Sequence, residues 1–330
     1  MGLLIDGVWQ TEESTRPNGH YVRAETAFRN WVTPDGRPGP TGHDGYAAAR
    51  GRYHLYVSLA CPWAHRALIM RALKGLEEIV TISVTHWLMA EQGWTFTPGE
   101  AVIPDPLFNS RYLHEIYTRS DGTYSGRASV PVLWDRHTQT IVNNESSEII
   151  RMFNSGFDTA GARSGDYYPR PLRGEIDAIN ARVYETLNNG VYKAGFATTQ
   201  DAYDEAVVPL FETLDWLEGR LSQSRFLCGD NITEADVRLF TTLVRFDSVY
   251  VGHFKCNLRR LVDYSHLWAY ARDIFQWPGV APTVSFMHIR RHYYMSHRQI
   301  NPSGIVPIGP KLDFEAPADR GKDIARLLTF

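Results

Sequence analysis

The sequence predicts two domains of different class, a small α/β domain over residues 51–160 and an all-α domain over 171–295. Three observations carry this. Two β-rich apolar runs, Tyr53–Val57 and Ile79–Val84, flank a segment with helical spacing. Two further short runs, Val130–Trp134 and Thr140–Val142, lead into a helix start at Asn144-Glu145-Ser146. Beyond Pro169-Arg170-Pro171 the apolar period becomes that of long helices.

Composition agrees with that division. The 330 residues exceed what one core usually organises, about 100–200 residues. Hydrophobic residues at 43% and charged residues at 22% are globular values, and no apolar run reaches the ~20 residues that span a bilayer. Residues Met1–Asp6 lack the basic flank and long apolar stretch of a secretion signal, so a cytoplasmic location is expected. A net charge of -3, with no basic block interleaved with aromatics, argues against nucleic acid. Three cysteines at irregular spacing, Cys61, Cys228 and Cys256, fit a reducing compartment better than a disulfide framework. The 17 Tyr and 9 Trp supply core material and leave enough to line a pocket for a flat ligand.

In chain order, residues 1–50 are rich in Gly, Pro and charge, with the breaker Gly36-Arg37-Pro38-Gly39-Pro40, and read as an irregular arm. Tyr53–Val57 is a strand; Pro62 opens a helix carrying Ala64, Ala67, Leu68, Arg71 and Ala72; a second strand follows Gly75, which implies a right-handed parallel crossover. Residues 86–128 show no sustained period and read as a long surface loop of functional size. The strands at 130–134 and 140–142 turn around Asp135–Thr138, and the helix from Asn144 runs to Phe153. In the second domain Tyr203, Val207, Leu210, Leu214, Leu217 and Leu221 form one stripe, with a kink expected at Pro209. Thr233-Glu234-Ala235-Asp236 is a capping box, flanked by Ile232 and Val237, for a helix whose apolar face ends at Tyr250. One helix ends near Trp277-Pro278-Gly279, another covers Thr283–Tyr294, and 296–330 is a Pro- and Gly-rich extension.

Chemistry concentrates at Cys61-Pro62-Trp63-Ala64, a strand-to-helix junction where unpaired N–H groups and the helix dipole favour an anion. An ordinary thiol is only a few per cent ionised at neutral pH, and the dipole's ~1–2 kcal/mol corresponds to about one pKa unit, so direct hydrogen bonds must complete the activation. Pro62 suits the first helical position. Ala64 occupies the resolving position of a C-x-x-C motif, so any disulfide at Cys61 needs an outside thiol unless Cys228 or Cys256 folds nearby. The competing reading is a buried structural cysteine. His65, one turn on, favours a thiolate or simply occupies a solvated helix face. Val130-Pro131, if cis, presents the Val130 N–H and C=O to an extended peptide; if trans, it marks an edge strand. Glu145-Ser146 offers a carboxylate to an ammonium and a hydroxyl with N–H to a carboxylate, or is simple helix capping. His288-x-x-x-His292, with His297 beyond, has the spacing of a metal pair but no acidic or Cys partner, and no metal is expected. No GxGxxG, Walker A or GxSxG sequence is present.

The Cys-Pro-x-Ala loop, Val-Pro strand, Glu-Ser helix start and capped helix in an all-α second half together resemble the glutathione transferase superfamily. Within it the segments SLACPWAHRALIMRALKGLE, SVPVLWD, NNESSEIIRMFN, NNGVYKAGFA, RFDSVYVGHFKCN and HYYMSHRQINPSGIVPIGP are similar to the Xi class, the glutathionyl-hydroquinone reductases. The resemblance implies a thioredoxin-like N-terminal domain plus an all-α C-terminal domain. Cys61 matches the catalytic nucleophile. Trp94, Arg127, Val130, Glu145 and Ser146 match glutathione-contacting positions, against which Trp94 could be loop packing and Arg127 a surface charge. Tyr192, Tyr250 and Tyr293 match the tyrosines that face the quinol, Tyr192 and Tyr293 with a catalytic part; Tyr294 is the neighbouring alternative to Tyr293, and core packing is the alternative for Tyr250.

The activity so implied is glutathione-dependent reduction of S-glutathionyl-hydroquinones through a Cys61–glutathione mixed disulfide, with glutathione as co-substrate, glutathionylated quinols as substrates and a homodimer as the assembly. The competing expectations are an omega-type thioltransferase or dehydroascorbate reductase, and a non-catalytic binding scaffold.

Overall fold

The computed structural model describes residues 2–11 and 17–320, so the end of the C-terminal extension lies outside the described residues. The chain divides into two compact units: Met1–Thr15, Ala24–Ser164 and Thr283–Ser296 in one, Arg16–Arg23, Gly165–Pro282 and His297–Phe330 in the other.

The first unit begins with a hairpin, β1 (Gly2–Ile5) and β2 (Val8–Thr11), and a parallel pair, β3 (Trp31–Thr33) and β4 (Gly45–Ala47). Its sheet is built from β5 (Tyr53–Val57), β6 (Val80–Val84), β7 (Val132–Asp135) and β8 (Thr140–Asn143), with α1 (Pro62–Leu73), α2 (Leu113–Ser120) and α3 (Ser146–Arg151) interposed. The sheet order is β6-β5-β7-β8; β5 and β6 are parallel and the other pairs antiparallel. Central β5 is buried throughout. His54 is tolerated there because Nδ1 meets Thr81 Oγ1 at 2.7 Å and Nε2 meets Ser83 Oγ at 2.8 Å. Burial pushes its pKa down to about 4, so the ring is neutral. Helix α1 ends in a Schellman turn: Gly75 takes φ +61°, its N–H bonds Ala72 O, and Leu76 N–H bonds Arg71 O at 2.8 Å.

Two expectations are corrected here. The arm is not irregular, because Asp6 and Gly7 both adopt positive φ, 48° and 77°, and make the tight turn that a two-residue hairpin needs. The rest of the arm runs along the sheet edge: Asn30 N–H bonds Val142 O at 3.0 Å, and the Glu148 carboxylate takes Arg29 Nε at 2.8 Å, Thr41 Oγ1 at 2.7 Å and Asn143 Nδ2 at 2.7 Å. Burial alone would raise the Glu148 pKa; the Arg29, Asn143 and Thr41 hydrogen bonds outweigh it and hold the group low. The long loop also contains a helix, α2, which buries Leu113, Ile116 and Tyr117 on one face.

The second unit is helical: α4 (Arg173–Val183), α5 (Gly190–Gly195), α6 (Gln200–Leu221), α7 (Glu234–Arg245) and α8 (Ser265–Phe275). Helix α6 continues through Pro209 and buries Val207, Leu210, Leu214, Leu217 and Leu221. Asp236 closes the expected capping box, taking the Thr233 N–H at 2.8 Å and its hydroxyl at 3.0 Å, and also accepts from Leu227 N–H and the Tyr270 hydroxyl. Helices α3, α4 and α7 each run on into a π-helical turn, the last being Phe246–Tyr250.

The final helix, α9 (Phe286–Ser296), groups with the α/β unit, whereas the sequence reading put it in the helical domain. The reason is a set of polar contacts to the loop after β6, from His288, His292 and Ser296. Among the described residues no helix is long and apolar enough to cross a membrane.

Candidate active site

Cys61 is the N-cap of α1, with extended backbone angles (φ -76°, ψ 122°) and Pro62 at the first helical position. Its N–H bonds Ser58 O at 3.2 Å and its carbonyl receives His65 N–H at 3.0 Å, so the backbone is held on both sides. The sulfur stands at the positive end of the helix dipole, is partly exposed, and lies 3.6 Å from Val130 O. The other two thiols are buried in the helical unit; burial pushes Cys228 up to about 11 and Cys256 higher still, so both stay protonated. Cys61 alone among the three combines exposure with a helix N-terminus. His65 is not on a solvated face: it is fully buried, with Nε2 on Thr283 Oγ1 at 2.8 Å.

The Val130–Pro131 bond is cis. The preceding segment is fixed by the buried Tyr117 hydroxyl, which donates to Ser129 O at 2.7 Å and accepts from Ser129 N–H and Asn144 Nδ2. Val130 O faces the Cys61 sulfur, and among the described residues none accepts from the Val130 N–H. Glu145 is the N-cap of α3: Oε1 accepts from Ser147 N–H at 3.0 Å and Ser147 Oγ at 2.9 Å, while among the described residues Oε2 has only a 3.4 Å approach from Thr26 Oγ1. Capping is therefore real and uses one carboxylate oxygen, leaving the second for a cation. Ser146 is buried beside it and accepts from Arg66 Nη1 at 3.4 Å, which links α1 to the start of α3.

Trp94 and Arg127 lie in the loop between β6 and β7. Trp94 is 7% exposed, and its ring stacks on His292 at 4.7 Å between centroids with an interplanar angle of 23°. Arg127 is half-buried, and among the described residues no carboxylate pairs with its guanidinium. In the helical unit Tyr192 and Tyr250 have centroids 6.3 Å apart and share Phe254, at 5.5 and 5.6 Å. Arg23 lies over the Tyr192 ring at 4.9 Å. Tyr250 is fully buried and Tyr192 half-buried. Tyr293 is on α9, buried against the edge of His292, while Tyr294 is more open.

The chain that carries this local set, a partly exposed cysteine capping a helix beside a cis-proline backbone with a capping Glu-Ser pair, is similar to known proteins. Residues 60–155 match the family model described as glutathione S-transferase, N-terminal domain, and 200–273 the C-terminal domain. The glutathionyl-hydroquinone reductase YqjG of Escherichia coli is 56% identical over 98% of this chain and 99% of its own. Its glutathione-bound structure superposes with a TM-score of 0.90, covering 97% of this chain and 99% of that one. The chain belongs to the Xi-class glutathione transferases. The glutathionyl-hydroquinone reductase PcpF of Sphingobium chlorophenolicum is 54% identical over 94% of this chain and 96% of its own. An Xi-class structure from Natrialba magadii has a TM-score of 0.89 at 46% identity, covering 97% of this chain and 96% of that one.

Within this Xi-class chain the sequence reading passed over three supports: Tyr117 and Arg66, which hold the Val130 and Ser146 segments, and His292, which holds Trp94. The i, i+4 spacing of His288 and His292 was the available signal, but it reads only as a metal pair that lacks an acidic or Cys partner. In the structure these rings bond backbone carbonyls, His288 Nε2 to Glu100 O at 2.7 Å and His292 Nδ1 to Trp87 O at 2.9 Å. Among the described residues no group of three or more His, Cys, Asp or Glu is arranged to hold a metal ion.

Proposed function

We propose that this protein reduces S-glutathionyl-hydroquinones to hydroquinones with glutathione as co-substrate, and that Cys61 is the nucleophile. The observation that carries the reading is the partly exposed Cys61 sulfur at the N-cap of α1, facing Val130, in a chain whose other thiols are buried. The names of the Escherichia and Sphingobium relatives support the substrate class.

In the first step the Cys61 thiolate attacks the glutathione sulfur of the substrate; an S–S bond forms as the carbon–sulfur bond breaks. An aryl carbanion is a poor leaving group, so the ring reacts as its keto tautomer and the departing electron pair becomes an enolate, which is protonated to the hydroquinone. In the second step a glutathione thiolate attacks the mixed disulfide, releasing oxidised glutathione and restoring Cys61. Tyr192, Tyr250 and Tyr293 face the quinol, and the Tyr192 and Tyr293 hydroxyls stabilise the enolate oxygen or deliver its proton.

Glutathione is held by Trp94, Arg127, Val130, Glu145 and Ser146. Val130 pairs with its extended backbone, the free Glu145 oxygen takes its ammonium, and Ser146 and Arg127 take its carboxylates. The α/β unit thus binds glutathione. The protein acts as a homodimer in the cytoplasm, without nucleic-acid or membrane partners.

The test is turnover of a glutathionyl-hydroquinone beside dehydroascorbate. The quinol adduct should be strongly preferred, and Tyr192→Phe should lower kcat on it. A preference for dehydroascorbate would return the protein to the omega-type reading.

A further inference from the structure

Helix α9 presents His288, His292 and Ser296 at i, i+4 and i+8, one face of the helix, to the loop that follows β6. Each bonds that loop's backbone: His288 Nε2 to Glu100 O at 2.7 Å, His292 Nδ1 to Trp87 O at 2.9 Å, and Ser296 Oγ to Met89 N–H at 3.0 Å. A carbonyl only accepts, so the proton of the His292 ring sits on Nδ1. On the helix side His288 and His292 are buried and Ser296 is half-buried, while on the loop side Trp87 and Met89 are half-buried and Glu100 is exposed.

The loop so pinned carries Trp94. Its backbone is fixed from the other side, since Leu113 N–H bonds Trp94 O at 2.9 Å and His86 N–H bonds Thr95 O at 2.8 Å. Its indole, by contrast, rests on the His292 imidazole, nearly parallel at 4.7 Å. One side chain therefore both anchors the loop at Trp87 and forms the platform for the ring of Trp94. Phenylalanine would supply only the platform, and asparagine only the anchor.

We infer that His292 is a positioning residue for glutathione binding, setting the indole of Trp94 through the aromatic stack, while its separate bond to Trp87 O anchors the loop. The inference rests on the reading of Trp94 as a glutathione contact, so the test separates the two. Glutathione Kd and thermal midpoint are measured for the wild type, Trp94→Ala, His292→Asn, His292→Phe and the Trp94→Ala/His292→Asn double variant.

His292→Asn keeps an N–H toward Trp87 and should hold the midpoint, while its Kd rises about fivefold, the loss of one aromatic platform. His292→Phe should lower the midpoint and leave Kd within about twofold of wild type. In the Trp94→Ala background His292→Asn should change Kd by less than about twofold, because the group it positions is gone. A Trp94→Ala variant with wild-type Kd overturns the reading of Trp94 and the inference with it. A weakened Trp94→Ala beside an unchanged His292→Asn overturns the inference alone. Kd changes that simply follow the loss of midpoint in both His292 variants reduce His292 to a structural role and also overturn it.

Discussion

Glu145→Gln separates the two tasks assigned to one carboxylate. In the wild type Oε1 is spent on the Ser147 N–H and hydroxyl at 3.0 and 2.9 Å, and among the described residues Oε2 is approached only by Thr26 Oγ1 at 3.4 Å. Glutamine keeps a carbonyl oxygen for Ser147, so helix α3 loses only the charge at its N-terminus, about 0.3–1 kcal/mol. The proposed pair with the glutathione ammonium loses its charge assistance, about 1.5–3 kcal/mol, which is roughly 10- to 150-fold in Kd. Calorimetric titration with glutathione, beside urea denaturation of the same samples, reads both quantities. Glutathione lacking its α-amino group serves as the control ligand and should bind wild type and variant alike. A stable Glu145→Gln protein that binds glutathione within about twofold of wild type would refute the assignment of the free oxygen and leave Glu145 a helix cap only.

Other consequences concern the scaffold and the remaining thiols. His54 is neutral in the fold, with its pKa pushed by burial to about 4 against 6.5 for the free side chain, so its contribution is complete above pH 6.5 and is lost as pH falls toward 4. That loss is about 3 kcal/mol at most, and the difference in urea midpoint between wild type and His54→Gln should shrink over that range. Asp236→Ala strands the Leu227 and Thr233 N–H groups and the Tyr270 hydroxyl in a buried site and should cost about 3–5 kcal/mol by denaturation, against about 1 kcal/mol for Tyr270→Phe. Thiol titration at neutral pH should find one fast group, Cys61, and Cys228→Ala should retain activity because its thiol, raised to about 11, is protonated.

Much of the catalytic unit was legible because its signals are local. Tyr53–Val57, Pro62 and Gly75 each carry a backbone requirement that neighbours alone decide, and the Thr233–Asp236 box closes as read. The hairpin was missed although Asp6-Gly7 is a strong turn pair, because the charged residues after it hid the second strand. Helix α2 was missed because its stripe of Leu113, Ile116 and Tyr117 is a short one inside a Trp- and Pro-rich loop. The histidines of α9 show a deeper limit. Spacing places two imidazoles on one face, but whether they meet a cation or a carbonyl depends on a loop almost two hundred positions away, as the Glu100–His288 separation of 188 shows. The π-helical turn ending at Tyr250 likewise has no composition of its own. Tyr250, which the stripe alone offers as core and the resemblance as a quinol contact, lies at the end of that turn and is fully buried.

The most direct measurement is the intact mass of the protein after incubation with a glutathionyl-hydroquinone and no free glutathione, followed by peptide mapping. The account predicts one glutathionyl group on Cys61, release of the hydroquinone in equal amount, and loss of both in Cys61→Ala. Hydroquinone released at the wild-type rate by Cys61→Ala, or an adduct carried by Cys228 or Cys256 instead, would contradict it.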